Sequence, residues 1–284
     1  MLYTHSYRGI VWLDLESPSD EDITGLLKRY ELHPLVGEEL KHDTKQAKIQ
    51  SFGDYLLVVL TLPVRKKGRN GNGYEIVDQE IDFVIGKNFL ITCRNDTIEQ
   101  LEYFGKVFDA NSILNKDEKI EHAGYLFYYM VKRIYAGMVE DLENIRDSLL
   151  SAENRIFGGD ERKMVEVFSN LSREIIDIQQ TVRMHRDVWE EMVAQADKDF
   201  FGKDFASYVR DIKSEFSLIR ELIGNARELL ADLRETNDSL LSTKQNETIK
   251  VFTLLAFTTF PLTLVAAIFT IPAENVPFIH NPTG

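Results

Sequence analysis

The sequence predicts an α+β protein: an N-terminal mixed α/β domain, then a helical coiled region, then a very long stalk helix that continues into a transmembrane helix. Three observations predict this class. Strand-like and helix-like segments alternate over residues 10–110. From about residue 116 onward the pattern is helical. Residues 251–271 form a run of 21 residues without charge, and roughly 20 apolar residues cross a hydrocarbon core.

Short motifs define the elements of the N-terminal domain. "IVWLDL" predicts a strand, and "SPSDEDITGLLKRY" predicts a helix with Ser17 as its N-cap and Pro18 in its first turn. "KIQSFGDYLLVVLTLP" predicts strand structure with a turn at Gly53 and Asp54, and "YEIVDQEIDFVIGKNFLITCR" predicts two strands joined at residues 86–88. The basic segment "RKKGRNGNG" lacks the GK[ST] of a phosphate loop and is interpreted as a solvated hairpin or loop.

Helical periodicity governs the rest of the chain. Segments 118–157 and 160–196 are predicted helices separated by "FGGD", with a further break near "ADKDFFGKD". After Gly202 the next strong stop outside the apolar run is Pro272, which allows a helix on the order of 100 Å long at 1.5 Å per residue. The predicted divisions are 1–115 (N-terminal cytosolic domain), 116–202 (helical hairpin region), 203–248 (cytosolic part of the stalk), 249–271 (transmembrane helix) and 272–284 (extracytoplasmic loop).

Composition limits the partners. The 284 residues carry a net charge of −13, which argues against nucleic acid because phosphate binding needs clustered Lys and Arg. The acidic surface either keeps the protein soluble or attracts cations. Cys93 is the only cysteine, so an internal disulfide and a cysteine metal cluster are excluded, and its apolar surroundings predict a buried thiol. The six histidines show no metal-ligand spacing, and an enzyme is the weakest interpretation.

The charges that flank the apolar run predict its orientation. Lys244 and Lys250 precede it, whereas residues 272–284 contain no Lys or Arg. By the positive-inside rule the N-terminal side is cytosolic, and no signal peptide is visible at the N-terminus. The location predicted is the cytoplasmic (inner) membrane. The alternative is that the run forms a buried core helix.

The stalk helix has two contrasting faces. An 11-residue repeat places branched apolar side chains on one face, namely Leu218, Leu229, Leu240, Val251 and Leu262, with Leu222, Leu233, Leu255 and Ala266 on a parallel row. The opposite face carries polar and small residues together with Ile249 and Phe260, namely Glu235, Ser242, Asn246, Ile249, Thr253, Ala256, Phe260, Thr263 and Ala267. The second face indicates either helix packing with each Thr hydroxyl bonded to its own helix, or a pore lined by identical helices.

Several segments together resemble the CorA family of divalent-cation channels and transporters. They are "HPLVGEELKHDTKQAKIQSFGDYLLVVL" (33–60), "YVRDIKSE" (208–215) and "NETIKVFTLLAFTTFPLTLVAAIF" (246–269). The resemblance implies a homopentamer whose first membrane helices line the pore. It assigns the pore face to Asn246, Ile249, Thr253, Ala256, Phe260, Thr263 and Ala267, with Asn246 at the cytosolic mouth. It also implies that Mg²⁺ is both transported and regulatory.

Asp211 matches the family acid that binds a regulatory ion between subunits. The resemblance implies that cytosolic Mg²⁺ at Asp211 holds the ring symmetric and closed. The alternative is an exposed helix acid paired with Lys213 or Arg210.

The sequence departs from the family at the end of the membrane helix. Thr270, Ile271 and Pro272 stand where the family has the Gly-Met-Asn that forms the outer selectivity ring. The transported ion therefore stays open among Mg²⁺, Co²⁺, Ni²⁺ and the Zn²⁺ of the family's ZntB branch. Transporters of this type continue with a second apolar span, so we expect the sequence to be part of a longer chain. The non-transport alternative is a membrane-anchored metal sensor or scaffold.

Overall fold

The structure is a computed structural model that describes residues 1–44, 46–67, 74–114, 121–197, 201–202 and 204–270. The described part contains six strands and seven helices. The strands are β1 (Leu2–Tyr7), β2 (Ile10–Glu16), β3 (Lys48–Ser51), β4 (Leu56–Lys67), β5 (Tyr74–Ile85) and β6 (Phe89–Arg94). The helices are α1 (Asp20–Arg29), α2 (Pro34–Lys41), α3 (Glu99–Leu114), α4 (Ala123–Phe157), α5 (Glu161–Arg183), α6 (His185–Asp197) and α7 (Phe205–Thr270).

All six strands form one mixed sheet in the order β1-β2-β6-β5-β4-β3. Neighbouring strands are antiparallel except β2 and β6, which are parallel. Because side chains alternate across a strand, the sheet has two apolar faces. One packs against α1 and α2, and the other belongs to the large core shared with the helices from α3 to α7. The predicted α+β class is confirmed.

The predicted turn at Gly53 and Asp54 and the predicted junction at residues 86–88 each connect two antiparallel strands. Between β3 and β4 the turn contains Gly53, whose φ of 84° is a left-handed value that favours glycine. Between β5 and β6 the turn is closed by a hydrogen bond from the Gly86 amide to the Phe89 carbonyl, at 2.9 Å. Cys93 of β6 is buried as predicted, and burial raises the pKa of its thiol above the ordinary value. The six residues 68–73 of the predicted basic loop lie outside the described residues.

The N-cap of α1 is Ser19, so the prediction of Ser17 is wrong. The Ser19 hydroxyl accepts from the Asp22 amide at 3.2 Å, and the Asp22 carboxylate accepts from the Ser19 amide at 2.9 Å, which together form a capping box. Pro18 therefore precedes the helix. Ser17 donates its hydroxyl to the Asn95 carbonyl at 2.6 Å instead. Both serines that flank the proline have an aspartate three residues later. Ser19 has the extended backbone of an N-cap, with φ −81° and ψ 161°, whereas Ser17 has a left-handed φ of 46°.

The helical region contains one more break than the sequence predicted. The break at "FGGD" is confirmed between α4 and α5, but the segment predicted as one helix from 160 to 196 is divided at Met184 into α5 and α6. No Gly or Pro marks this point. The turn places His185 completely inside the core, where its Nε2 lies 2.7 Å from the Thr61 carbonyl of β4. A tertiary contact therefore sets the boundary.

Helix α7 has 66 residues, as the absence of stop signals predicted. It packs against α4, α5 and α6. The buried side chains are Phe205, Ala206, Val209, Ile212, Phe216, Ile219, Ile223, Ala226, Leu230, Leu233 and Asn237. The predicted leucine row lies mostly at the margin of this face, with Leu218 exposed and Leu222, Leu229 and Leu240 partly buried. Most of that row is therefore available for other contacts.

Candidate ion-conduction and regulatory sites

The last part of α7 extends beyond the other helices. From residue 242 to residue 270 every side chain is exposed in the single chain. The helix is long and apolar enough to cross a membrane, and none of its most apolar stretch is buried. The alternative that this run is a buried core helix is therefore wrong. An exposed apolar surface of this size needs lipid or protein around it.

The predicted pore row lies on one face of this exposed segment. Its members from Asn246 to Ala267 follow each other at intervals of three or four residues, which keeps them on one side of a helix with 3.6 residues per turn. The Thr253 hydroxyl donates to the Ile249 carbonyl at 2.8 Å, and the Thr263 hydroxyl donates to the Thr259 carbonyl at 2.7 Å. Because the protons point to the backbone, the oxygen lone pairs remain available as acceptors on the exposed side.

The turn between α4 and α5 lies beside α7 just before the apolar run. The Lys244 ammonium donates to a Glu161 carboxylate oxygen at 2.8 Å, and the Glu161 side chain is only 6% exposed. Lys244 lies seven residues before Val251, or about 10 Å along the helix axis. This ion pair joins the turn between α4 and α5 to α7 shortly before the apolar run, and Asn246 lies between Lys244 and Val251.

Asp211 is held by α4. Its Oδ2 accepts from the Tyr128 hydroxyl at 2.6 Å and from the Lys132 ammonium at 2.8 Å. The Lys132 ammonium also lies 3.7 Å from Glu215. The ion pair thus joins two helices, whereas the partners weighed from the sequence were Lys213 and Arg210 on the same helix.

Electrostatics agree with this geometry. The hydrogen bond from Lys132, followed by that from Tyr128, lowers the pKa of the Asp211 carboxyl, and the same contacts raise the pKa of Lys132. Both side chains are well exposed, at 44% for Asp211 and 42% for Lys132. Asp211 is therefore ionised, accessible and already paired with a cation.

Asp211 alone is an incomplete metal site. Among the described residues, no group of three or more His, Cys, Asp or Glu side chains is placed to hold a metal ion. Mg²⁺ prefers six oxygen ligands, several of them water. A regulatory Mg²⁺ at Asp211 would therefore need water and further oxygen atoms from outside this set.

Of the predicted selectivity position, the structure describes only the first residue. Thr270 ends α7, and its hydroxyl donates to the carbonyls of Ala266 and Ala267, at 3.0 Å each. Ile271 and Pro272 lie outside the described residues.

Sequence reasoning missed Tyr128 and Lys132. Their spacing of four residues places them on one face of a helix, which was a readable signal. Nothing in the sequence, however, indicates that this face meets a residue 79 positions further along the chain.

These features describe a large α/β and helical part followed by one helix that is long and apolar enough to cross a membrane. Residues 7–284 match the family of CorA-like Mg²⁺ transporter proteins, and the chain belongs to this family. One similar protein is the cobalt/magnesium transport protein CorA of Thermotoga maritima, which is 24% identical over 288 residues, covering 95% of this chain and 78% of that protein.

Solved structures share the fold. The complete structure of the CorA magnesium transporter from Methanocaldococcus jannaschii has a TM-score of 0.79 at 18% identity, covering 98% of this chain and 86% of that one. The cytoplasmic domain of ZntB from Vibrio parahaemolyticus has a TM-score of 0.56 at 11% identity, covering 86% of this chain and 89% of that one. At these identities the likeness shows the fold alone.

Proposed function

We propose that the chain is one subunit of a homopentameric channel or transporter that moves divalent metal cations across the cytoplasmic (inner) membrane, with its N-terminal domain in the cytosol. Mg²⁺ is the first candidate ion, and Co²⁺ and Ni²⁺ are further candidates. The observation that carries the proposal is the row from Asn246 to Ala267, which is exposed along an apolar helix of a chain that belongs to the CorA-like family.

The chemistry of this row suits a hydrated cation. Mg²⁺ loses its water reluctantly, so a pore can hold it through hydrogen bonds from its water molecules to neutral oxygens. The Thr253 and Thr263 hydroxyls direct their protons to the helix backbone and offer lone pairs to such water. The Asn246 amide oxygen offers the same at the cytosolic mouth. This arrangement places no carboxylate in the membrane, where a charged side chain is costly.

The regulatory part of the proposal assigns a cytosolic Mg²⁺ to Asp211. The ion, bound between neighbouring subunits, would hold the ring symmetric and closed. The accessibility and the ionised state of the carboxyl support this role. In the whole protein, Asp211→Ala is expected to abolish inhibition of flux by cytosolic Mg²⁺, and unchanged inhibition would contradict the role.

Ion flux into liposomes tests the transport function. The whole protein, as its gene encodes it, is reconstituted, and uptake of Mg²⁺, Co²⁺ and Zn²⁺ is compared with uptake by protein-free liposomes. We expect Mg²⁺ uptake well above that control. Uptake of Zn²⁺ alone would instead identify a zinc transporter of the ZntB type. No uptake of any ion would contradict transport and leave the non-conducting sensor or scaffold.

A further inference from the structure

The carboxylate proposed to bind the regulatory ion already has a cation. Lys132 of α4 places its ammonium 2.8 Å from Asp211 Oδ2, and the Tyr128 hydroxyl donates to the same oxygen at 2.6 Å. The Lys132 ammonium also lies 3.2 Å from the Tyr128 hydroxyl. The three groups form a closed set in which Asp211 accepts and Lys132 can only donate.

We propose that Lys132 is a tethered competitor for the regulatory ion and that it sets the cytosolic Mg²⁺ concentration at which the protein closes. This inference rests on the proposed regulatory role of Asp211. An ammonium has no lone pair and cannot be a metal ligand. Mg²⁺ can therefore bind at Asp211 Oδ2 only after the Lys132 ammonium has moved away from that oxygen.

The charge of Lys132 acts against the ion in two ways. Its ion pair with Asp211 has to break, and its positive charge repels a dication held at the same carboxylate. Both side chains are more than 40% exposed, so we use the dielectric constant of water, which gives the smallest repulsion. For a unit charge about 5 Å from a dication, this repulsion alone corresponds to a weakening of binding by roughly tenfold.

The geometry also allows the competitor to leave. The Lys132 side chain is flexible and 42% exposed, so its ammonium can move away from Asp211 Oδ2, while its attachment to α4 keeps the charge near the site. Glu215, at 3.7 Å, offers it a second carboxylate. The Tyr128 hydroxyl can keep its bond to Asp211 Oδ2 during the exchange. Lys132 therefore raises the Mg²⁺ threshold without blocking the site.

Two single-lysine variants of the whole protein test the proposal. Lys132→Met keeps an unbranched side chain that is one atom shorter and removes its charge. Lys28→Met makes the same charge change at an exposed position in the last turn of α1, on the other side of the sheet. For each variant, the cytosolic Mg²⁺ concentration that halves flux into liposomes is measured, together with Mg²⁺ binding to the purified protein by calorimetry.

We expect Lys132→Met to lower the half-inhibiting Mg²⁺ concentration by about tenfold, with Lys28→Met within twofold of the wild type. This change in the half-inhibiting concentration should disappear when Asp211→Asn is added to Lys132→Met. The proposal would be overturned if the half-inhibiting Mg²⁺ concentration changed by less than twofold in Lys132→Met, or if it changed equally in Lys28→Met. If the wild type conducts no ion, the transport function fails, and calorimetry decides the inference: tighter Mg²⁺ binding in Lys132→Met supports it, and unchanged binding overturns it.

Discussion

Removing the hydroxyl oxygen of Tyr135 from the core is expected to destabilise the contact between the sheet and its helices. Tyr135 of α4 accepts a hydrogen bond from Trp189 Nε1 at 2.7 Å, and its hydroxyl lies 2.9 Å from His185 Nδ1. His185 Nε2 lies 2.7 Å from the Thr61 carbonyl, which can only accept. The proton of the neutral ring is therefore on Nε2, and the Tyr135 hydroxyl donates to Nδ1.

Tyr135→Phe removes the shared hydroxyl and leaves two polar groups without a partner. These groups, Trp189 Nε1–H and His185 Nδ1, are completely buried. A buried polar group that loses its partner costs about 1–3 kcal/mol. The variant is therefore expected to lose about 2–6 kcal/mol of unfolding free energy, which is a large part of the roughly 5–15 kcal/mol of a typical domain.

Urea unfolding of the whole protein in detergent measures this loss, with tryptophan fluorescence as the signal because Trp189 lies in the network. The matched control is Tyr103→Phe, which removes a hydroxyl from a residue that is 54% exposed. This control should change the unfolding free energy by less than about 0.5 kcal/mol. Equal effects of the two substitutions would refute the hydrogen-bond argument.

Two further predictions concern buried ionisable groups. Burial lowers the pKa of His185 to about 4, so between pH 6.5 and pH 4 the unfolded chain binds the proton that the folded chain excludes. The free energy of unfolding should therefore fall by roughly 3 kcal/mol as the pH drops through this window. In His185→Gln the urea midpoint should depend less on pH than in the wild type. An equal pH dependence in the two proteins would contradict this explanation. Arg65 and Glu174 form a buried ion pair at 2.9 Å, 9% and 4% exposed. Arg65→Met should lower the free energy of unfolding by about 3–5 kcal/mol, because it leaves a buried carboxylate unpaired. Adding Glu174→Gln removes that charge and should restore part of the lost stability, which thermal unfolding measures. No recovery in the double variant would contradict the explanation.

Local signals in the sequence predicted much of the fold. The hairpins follow from glycine turns between alternating strands, and the length of α7 follows from the lack of stop signals. Strand β1 and helix α3 were not singled out. The break at Met184 was missed because a buried contact of His185, and no Gly or Pro, determines it.

The contacts between distant helices were beyond sequence reasoning. The 11-residue recurrence of leucines predicted a packing stripe, but the face of α7 that is buried depends on where α4, α5 and α6 lie. That face is offset from most of these leucines, with Leu233 as an exception, and runs through Ile212, Ile219 and Ile223. The cation at Asp211 was missed for the same reason, because Lys132 lies on another helix. Helical periodicity alone was enough to predict which residues share the face called the pore row. That this face lines a pore stays a prediction.

The central claim, that one face of α7 lines an ion pathway, is tested most directly by two matched substitutions in the same flux assay. Thr253→Val replaces a hydroxyl on the predicted pore face. Thr258→Val makes the same change about 160° around the helix from that face, where the hydroxyl likewise bonds to its own backbone, at 3.1 Å from the Leu254 carbonyl. We predict that Thr253→Val lowers Mg²⁺ flux by at least about fivefold, because one lost hydrogen bond already costs about 1 kcal/mol and every subunit of the proposed homopentamer loses its hydroxyl. Thr258→Val should stay near the wild type. Equal flux in the two variants, or a loss confined to Thr258→Val, would contradict the claim.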